Sequence, residues 1–425
     1  MKKARDIKEL DGGLYILPGA KAIVELTGSD KAQDVNFGGL VLSSGGLKLA
    51  PWGADNLQPQ RMLELVHNNH LKPQLITTGR DLVLGSRLGV FKRTIVEGKE
   101  SVEPVIDSEM EDWFESIDGD STLQSLAFNL ETFANYFSVF TLESKTYVED
   151  IQSFDCTIGR ALVTTKSKPD RYAFHHDFSN FKASEAKILP AFDRLNPGKY
   201  GEFVLHGRDW TPGQKYYDIP SYWGTREWTK ASNKIPRFHN SGLDNGYNVK
   251  YHIKIPAGYF DQFGDTPEKR KQAELELMAN MNEMLAGVEN TDKVFVSKYM
   301  TDAQGKPLPG WEIVPIENKM SDDAYTAVNQ QANIAHTSGH GIDPSLVGID
   351  TGSKLGGSGS EKRISYQLHI AMRTPQKRKI LLKTFQAAHK IMGFNPEHRF
   401  GFVDVDITTI AENPKGQEKT ANKGQ

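Results

Sequence analysis

The stretch that most constrains this chain is 321–394. A polar, small-residue helix is predicted from Ser321 to about Ser338, then a Gly- and Ser-rich loop over 339–360, then a long helix interrupted by Pro375. The loop carries GIDPSLVG at 341–348 and GGSGSE at 356–361. A structureless loop of this length is uncommon inside a compact domain unless it is functional. Strung between two strong helices, it points to a part that moves against a partner. Ala324, Ala327, Val328, Ala332 and Ala335 keep one face of the first helix narrow enough for close helix approach. Pro375 removes one hydrogen bond from the second helix, so a bend is expected there.

The bulk numbers exclude several classes. The chain has 425 residues, enough for two to four domains. Its 51 Lys and Arg nearly balance 54 Asp and Glu, for a net charge of −3. A protein that grips nucleic acid across a broad basic face needs clustered cations, and this balance argues against one. It still allows a protein past which DNA slides. Cys156 is the only cysteine, so neither an internal disulfide nor a Cys-based zinc site is possible within one chain. The basic start MKKARD is followed by no apolar segment of signal-peptide type, and no apolar run reaches membrane-span length. A soluble intracellular protein without a membrane partner is expected.

Along the chain, 1–50 reads as short strands and turns, among them 13–17 and 22–26. The run WGADNLQP at 52–59 leads into a helix with Pro59 at its first turn. A second helix is expected over about Lys72 to Gly85, stopped by that glycine. Residues 105–136 carry a helical apolar stripe, and Tyr136 to Asp209 reads as an antiparallel sheet. A helix from Ile219 through Ile235 must kink or end at Pro236. Residues 244–319 form a small α/β insertion: a strand over Val249–Ile255, a helix capped by Thr266 and opened by Pro267, and strands at 293–297 and 311–316. Its two ends must lie close together if it sits between adjacent helices. The tail beyond Asn413 is polar and expected to be flexible.

Candidate chemistry is thin, and each sharp reading has a plainer rival. The Gly-rich stretch lacks a Walker pattern, and the lysine of Gly352-Ser353-Lys354 follows no strand. His336 and His340 stand four apart, but no Glu follows His336 and Gly339 is expected to end the helix, so polar contacts outweigh a metal. His175 and His176 alternate faces in a strand and should not chelate together. Asp322 and Asp323 are better explained by the helix N-terminus than as an acid–base pair. Arg373, Lys377, Arg378, Lys379 and Lys383 form a basic cluster at the kink, read as a solvated face or as partners for acids of a neighbouring subunit. Trp223, Trp228 and Phe238 read as subunit packing rather than a base-stacking platform. Met278, Met281 and Met284 read as core filler. No catalytic set, metal site or cofactor is expected.

The order of these elements resembles the portal proteins of tailed double-stranded DNA bacteriophages, the head-to-tail connector family. The resemblance rests on WGADNLQP at 52–59, DLVLG at 81–85, the segment 219–246, GIDPSLVG at 341–348, and Gly359-Ser360-Glu361 entering a helix with Pro375 about halfway. It covers most of 50–395 and departs from larger members in its short C-terminal region. It implies an α+β portal fold with a wing at 1–218 and 361–403, stem helices at 219–243 and 320–338, a clip at 244–319, a tunnel loop at 339–360 and a flexible tail at 404–425. It implies a homo-oligomeric ring of about twelve copies at one capsid vertex, nucleating capsid assembly with major capsid and scaffold proteins. The ring would conduct double-stranded DNA without sequence specificity. The terminase large subunit docks on the clip, and a head–tail adaptor later takes its place. In the tunnel loop Lys354 is the only Lys or Arg and the candidate DNA-proximal cation, with the hydroxyls of Ser353, Ser358 and Ser360 beside it and Leu355 available to pack on a neighbour. Lys293, Lys298 and Lys306 of the clip are candidates for motor docking by position alone. The rival readings are another phage structural component, such as a minor capsid or adaptor protein, and a loop-gated enzyme.

Overall fold

The computed structural model describes residues 8–10, 14–17, 22–25, 42–96, 99–165, 168–245, 251–254, 259–273, 275–276, 312–315, 322–349, 359–405 and 407. The chain divides into two units, one of 1–233 with 330–425 and one of 234–329. Two short elements open the first unit: a meander of β1 (Lys8–Leu10), β2 (Leu14–Leu17) and β3 (Ala22–Glu25), and a hairpin of β4 (Leu42–Ser44) and β5 (Leu47–Leu49). Helices α1 (Gln58–His67) and α2 (Lys72–Leu84) follow, each with a proline in its first turn, and Gly85 closes α2 at φ +67°. A side chain at Gly85 would meet the carbonyl oxygen of Val403 at 2.5 Å, so this turn admits only glycine.

The hairpin β6 (Arg87–Val96) and β7 (Lys99–Pro104) comes next and is completed from the far end of the chain by β16 (His398–Val403). The apolar stripe over 105–136 is two helices rather than one. Asp107 caps α3 (Ser108–Ser116) by accepting from Met110 N at 3.2 Å. Asp118, at φ +48°, turns the chain into α4 (Gly119–Phe133). A side chain at Gly119 would strike the Phe114 ring, so this position requires glycine.

The sheet expected over 136–209 is present as two antiparallel sheets. Strand β8 (Asn135–Ser144) lies between β9 (Tyr147–Phe154) and β13 (Glu202–Arg208), while β10 (Gly159–Ala161), β11 (Arg171–Phe174) and β12 (Lys187–Pro190) make the other. All of Asn135–Phe140 is buried, because β8 is covered on both faces. Tyr136 and Phe140 face one core with Trp113, Leu126, Ile380, Leu381 and Phe385. Phe137 and Val139 face a second core with Trp52, Met62, Tyr217 and Trp223. The two-residue period of a strand thus stitches two cores together through one element.

A 3-10 turn, Ser221–Thr225, leads into α5 (Arg226–Asn245). Of the two outcomes expected at Pro236, a kink or an end, the helix does not end there: α5 runs through it. In the second unit, β14 (Tyr251–Lys254) pairs antiparallel with β15 (Glu312–Pro315), and residues 267–273 are helical, as the Thr266-Pro267 signal predicts. Phe238 stacks on Tyr325 with ring centroids 5.1 Å apart. The expected strand at 293–297 and Met278, Met281 and Met284 lie outside the described residues.

Helix α6 (Asp322–His340) outlasts the expected end at Gly339. Gly341, at φ +66°, is the stop, and its N–H returns to Ser338 O. Gly339 serves packing instead: a side chain there would meet the Thr225 methyl at 2.6 Å. The last helix, α7 (Gly359–Met392), continues through Pro375, where the Thr374 hydroxyl donates to Ile370 O at 2.8 Å.

Candidate functional site

The loop predicted to be functional is held at its N-terminal end by groups that sequence reasoning did not connect. After Gly341 the chain does not swing free at once. Asp343 caps a 3-10 turn, Pro344–Leu346, by accepting from Ser345 N at 2.9 Å. Ile342, Leu346, Val347 and Ile349 then pack on Leu71 and Leu75 at the start of α2. So GIDPSLVG is a docked anchor, contrary to the expectation of one flexible loop over 339–360. At the other end Ser360 is the second residue of α7 and exposed. Ser353, Lys354, Leu355 and Ser358 lie outside the described residues, as do Lys293, Lys298 and Lys306 of the insertion.

Between α6, the 341–343 segment and α7 runs a groove of about 320 Å³, lined by Ser338, Asp343, Ser365, Leu368, Met372 and Arg373, among others. The N-terminal half of α7 carries Ile364, Leu368 and Met372 at four-residue spacing, and all three are exposed in the single chain.

The C-terminal end of α6 rests on a cluster of bases. Lys72, the first residue of α2, is only 1 % exposed. Its Nζ donates to Thr225 Oγ1 at 2.9 Å, lies 3.4 Å from His340 Nε2, and sits 4.4 Å from the Tyr222 ring centroid. His340 stacks on Tyr222, with centroids 4.5 Å apart and planes 7° apart. One turn earlier on α6, the fully buried His336 places Nε2 3.1 Å from Thr229 Oγ1. Burial pushes Lys72 down to about 7, and burial with nearby Lys72 lowers His336 to about 3. His340 is held well below its usual range by burial, then by Lys72. The pair His336/His340 was singled out in the sequence for its spacing. Lys72 was not, because a lysine at a helix start reads as solvated; its partners lie 153 and 268 residues away.

Other singled-out residues resolve as follows. Of the basic cluster on α7, Lys377 contacts both carboxylate oxygens of Glu131 at 2.6 Å, and Arg378 pairs with Asp404 and the Val83 carbonyl. These two are therefore paired within the chain rather than solvated or awaiting a neighbour. Trp223 is buried in the core, whereas Trp228 and Phe238 are exposed. Strand β11 ends at Phe174, and beyond it the His175 and His176 rings stack at 4.6 Å instead of alternating. Among the described residues no group of three or more His, Cys, Asp or Glu is placed to hold a metal, and no helix is long and apolar enough to cross a membrane.

No protein-family model matches the sequence, and no curated protein matches it. Solved structures do match the fold. A chain in the virion of a native gene transfer agent particle superposes with a TM-score of 0.56 at 12% identity, covering 80% of this chain and 82% of that one. A chain in the neck of the native particle, computed with C12 symmetry, gives 0.53 at 12% identity over 80% and 83%. An HK97-family phage portal protein from Corynebacterium diphtheriae aligns over 78% of this chain and 93% of that one at 10% identity, with a TM-score of 0.37 too low to bear weight. These matches show a shared fold. This chain shares its α+β fold with those chains of gene transfer agent particles.

Proposed function

We propose that this chain is the subunit of a portal, or connector. A closed ring of about twelve copies would sit at one capsid vertex and conduct double-stranded DNA in packaging and ejection. The observation that carries this reading is the fold shared with gene-transfer-agent neck chains over four fifths of both lengths. The arrangement supports it in two further ways. A separate unit, with β14 and β15 paired, is inserted in the chain between the starts and ends of α5 and α6, where a docking platform for terminase and then for a head–tail adaptor would lie. The segment 350–358, holding Lys354, is flanked by the anchored 341–349 turn and by α7, as suits a loop that touches passing DNA.

In this reading Lys354 is one weak cation per copy, repeated around the ring, which meets phosphate without reading bases. A net charge of −3 per chain avoids the tight phosphate grip that would stall translocation. Ser353, Ser358 and Ser360 add hydroxyls beside it, and Leu355 packs on a neighbouring copy. Lys293, Lys298 and Lys306 are proposed for motor docking. The protein acts as a structural part of the virion, assembled in the host cytoplasm with major capsid and scaffold proteins, and no catalysis is assigned to it. The test is class-averaged electron microscopy of the purified protein viewed down the particle axis. Rings of twelve or thirteen lobes with a central hole wide enough for duplex DNA are expected. A monodisperse monomer of 47.5 kDa that stays monomeric with scaffold and capsid protein present would overturn the reading.

A further inference from the structure

The bases under the C-terminal end of α6 have their protonation states dictated by two hydroxyls. Thr225 donates its proton to Tyr222 O at 2.7 Å, so its oxygen receives Lys72. Thr229 donates to Thr225 O at 3.1 Å, which leaves its oxygen placed to receive an N–H from His336 Nε2, 3.1 Å away. The neutral His336 ring then carries its bare lone pair on Nδ1, and that atom is buried with no hydrogen-bond partner. A second proton there would make a buried N–H with nothing to accept it. In His340, Nε2 faces the Lys72 amine, so charging both groups would set two donors face to face.

The surroundings supply no relief. Lys72 and His70 act on His336, while Lys72, Lys377 and His336 act on His340. From α7, His369 donates to the Gly341 backbone and feels Lys377 and Arg373. From α4, the Glu131 carboxylate acts on the Tyr222 hydroxyl and is already taken by Lys377. The cluster is thus a set of closely packed bases that stays together by staying neutral.

We propose that Lys72, His336 and His340 form a proton-operated latch. Uncharged, they hold the end of α6, and the 341–349 anchor that follows it, against α2 and the 221–225 turn. Charged, they repel one another and release both. The device belongs to the single chain and stands whether or not copies close into a ring.

The sign follows from the direction of each shift. Lys72 titrates near 7 when folded and near 10.5 when free, so its penalty grows as pH falls from 10.5 and is complete below 7. His336 and His369, lowered from 6.5 to about 3 and about 4, add theirs as pH falls below 6.5. Each histidine weakens the closed state by up to about tenfold per pH unit in that window.

Amide hydrogen exchange on the full chain at pH 8 and pH 5, expressed as protection factors, tests this. Protection over 336–349 is expected to fall at least about thirtyfold between the two pH values, while the amides of β8 and β13 hold. In Lys72→Met, which keeps the bulk without the charge, and in His336→Leu, the fall should be reduced at least about tenfold. Equal protection of 336–349 at both pH values, or an unchanged fall in a folded variant, would overturn the proposal. The wild-type comparison decides alone if neither variant folds.

Discussion

Arg160 is the residue whose removal should cost the fold most per atom. It is fully buried, with no carboxylate bonded to it. Its Nε donates to Asn56 Oδ1 at 2.6 Å, and one terminal nitrogen to Asn56 O at 2.7 Å. The other reaches the carbonyls of Gly159, Cys156 and Thr157 at 2.8, 3.1 and 3.2 Å. The guanidinium also lies 4.3 Å from the Phe178 ring centroid and 5.5 Å from that of Trp52. The substitution Arg160→Met removes all five donors and strands the carbonyls. Hydrogen bonds to a charged group are worth about 1.5–3 kcal/mol each, but burying the unpaired charge opposes their sum. Stranding buried acceptors costs about 1–3 kcal/mol apiece, and relief of the buried charge offsets part of that, so a net loss of about 3–5 kcal/mol is expected. Thermal unfolding should register it as a fall of about 6–15 °C in Tm, at roughly 2–3 °C per kcal/mol for a large domain. Arg160→Lys should recover little, since one ammonium cannot serve carbonyls on both sides of a planar fork. A fall under about 2 °C for Arg160→Met would refute the argument, because it would mean the desolvation cost cancels the whole network.

Other outcomes are equally concrete. Lys377→Met should destabilise by about 1–3 kcal/mol by leaving Glu131 buried and unpaired, and a Lys377→Met/Glu131→Gln double-mutant cycle in thermal denaturation should show less than additive loss. Gly207→Ala places a methyl 2.0 Å from the Tyr136 ring and should cost about 3 kcal/mol or deplete soluble protein, measured as yield and Tm. Asp107→Ala should cost about 1 kcal/mol through the α3 cap. The His398 hydrogen bond leads the causes that lower the Asp107 carboxyl, so its contribution is present above pH 3.8 and vanishes as pH falls below that, which urea unfolding at pH 7 and pH 3 would separate. Deleting 354–359 should leave ring assembly, seen by electron microscopy, intact while DNA retention in assembled particles falls; loss of the ring would make the segment an assembly element.

Much of this architecture was legible because its signals are local. Pro59, Gly85 and the Thr266-Pro267 pair mark helix ends through backbone geometry alone. The break between α3 and α4 was written as Asp118-Gly119, a turn dipeptide, but the apolar stripe on both sides masked it. Strands β6 and β7 went unread because charged residues interrupt them and their third partner, β16, lies some three hundred residues on. The anchor at 341–349 had its signal in Ile342, Leu346, Val347 and Ile349, yet its glycines and proline suggested only flexibility. The base cluster was half visible as a histidine pair. Its third member could not be, since the burial of Lys72 is created by Tyr222 and Thr225, far away in sequence.

The pairing of β14 with β15 bears on how such a chain changes over evolutionary time. Lys254 and Glu312 stand opposite each other in register, so everything between them is a closed excursion that leaves and re-enters at one place. Closing a chain excursion costs free energy that grows only with the logarithm of its length, about 0.6 kcal/mol for each doubling. Residues 255–311 can therefore lengthen, shorten or be exchanged wholesale while the strand pair at their base stays as it is, and the part of the molecule most open to replacement is the part proposed to meet successive partners.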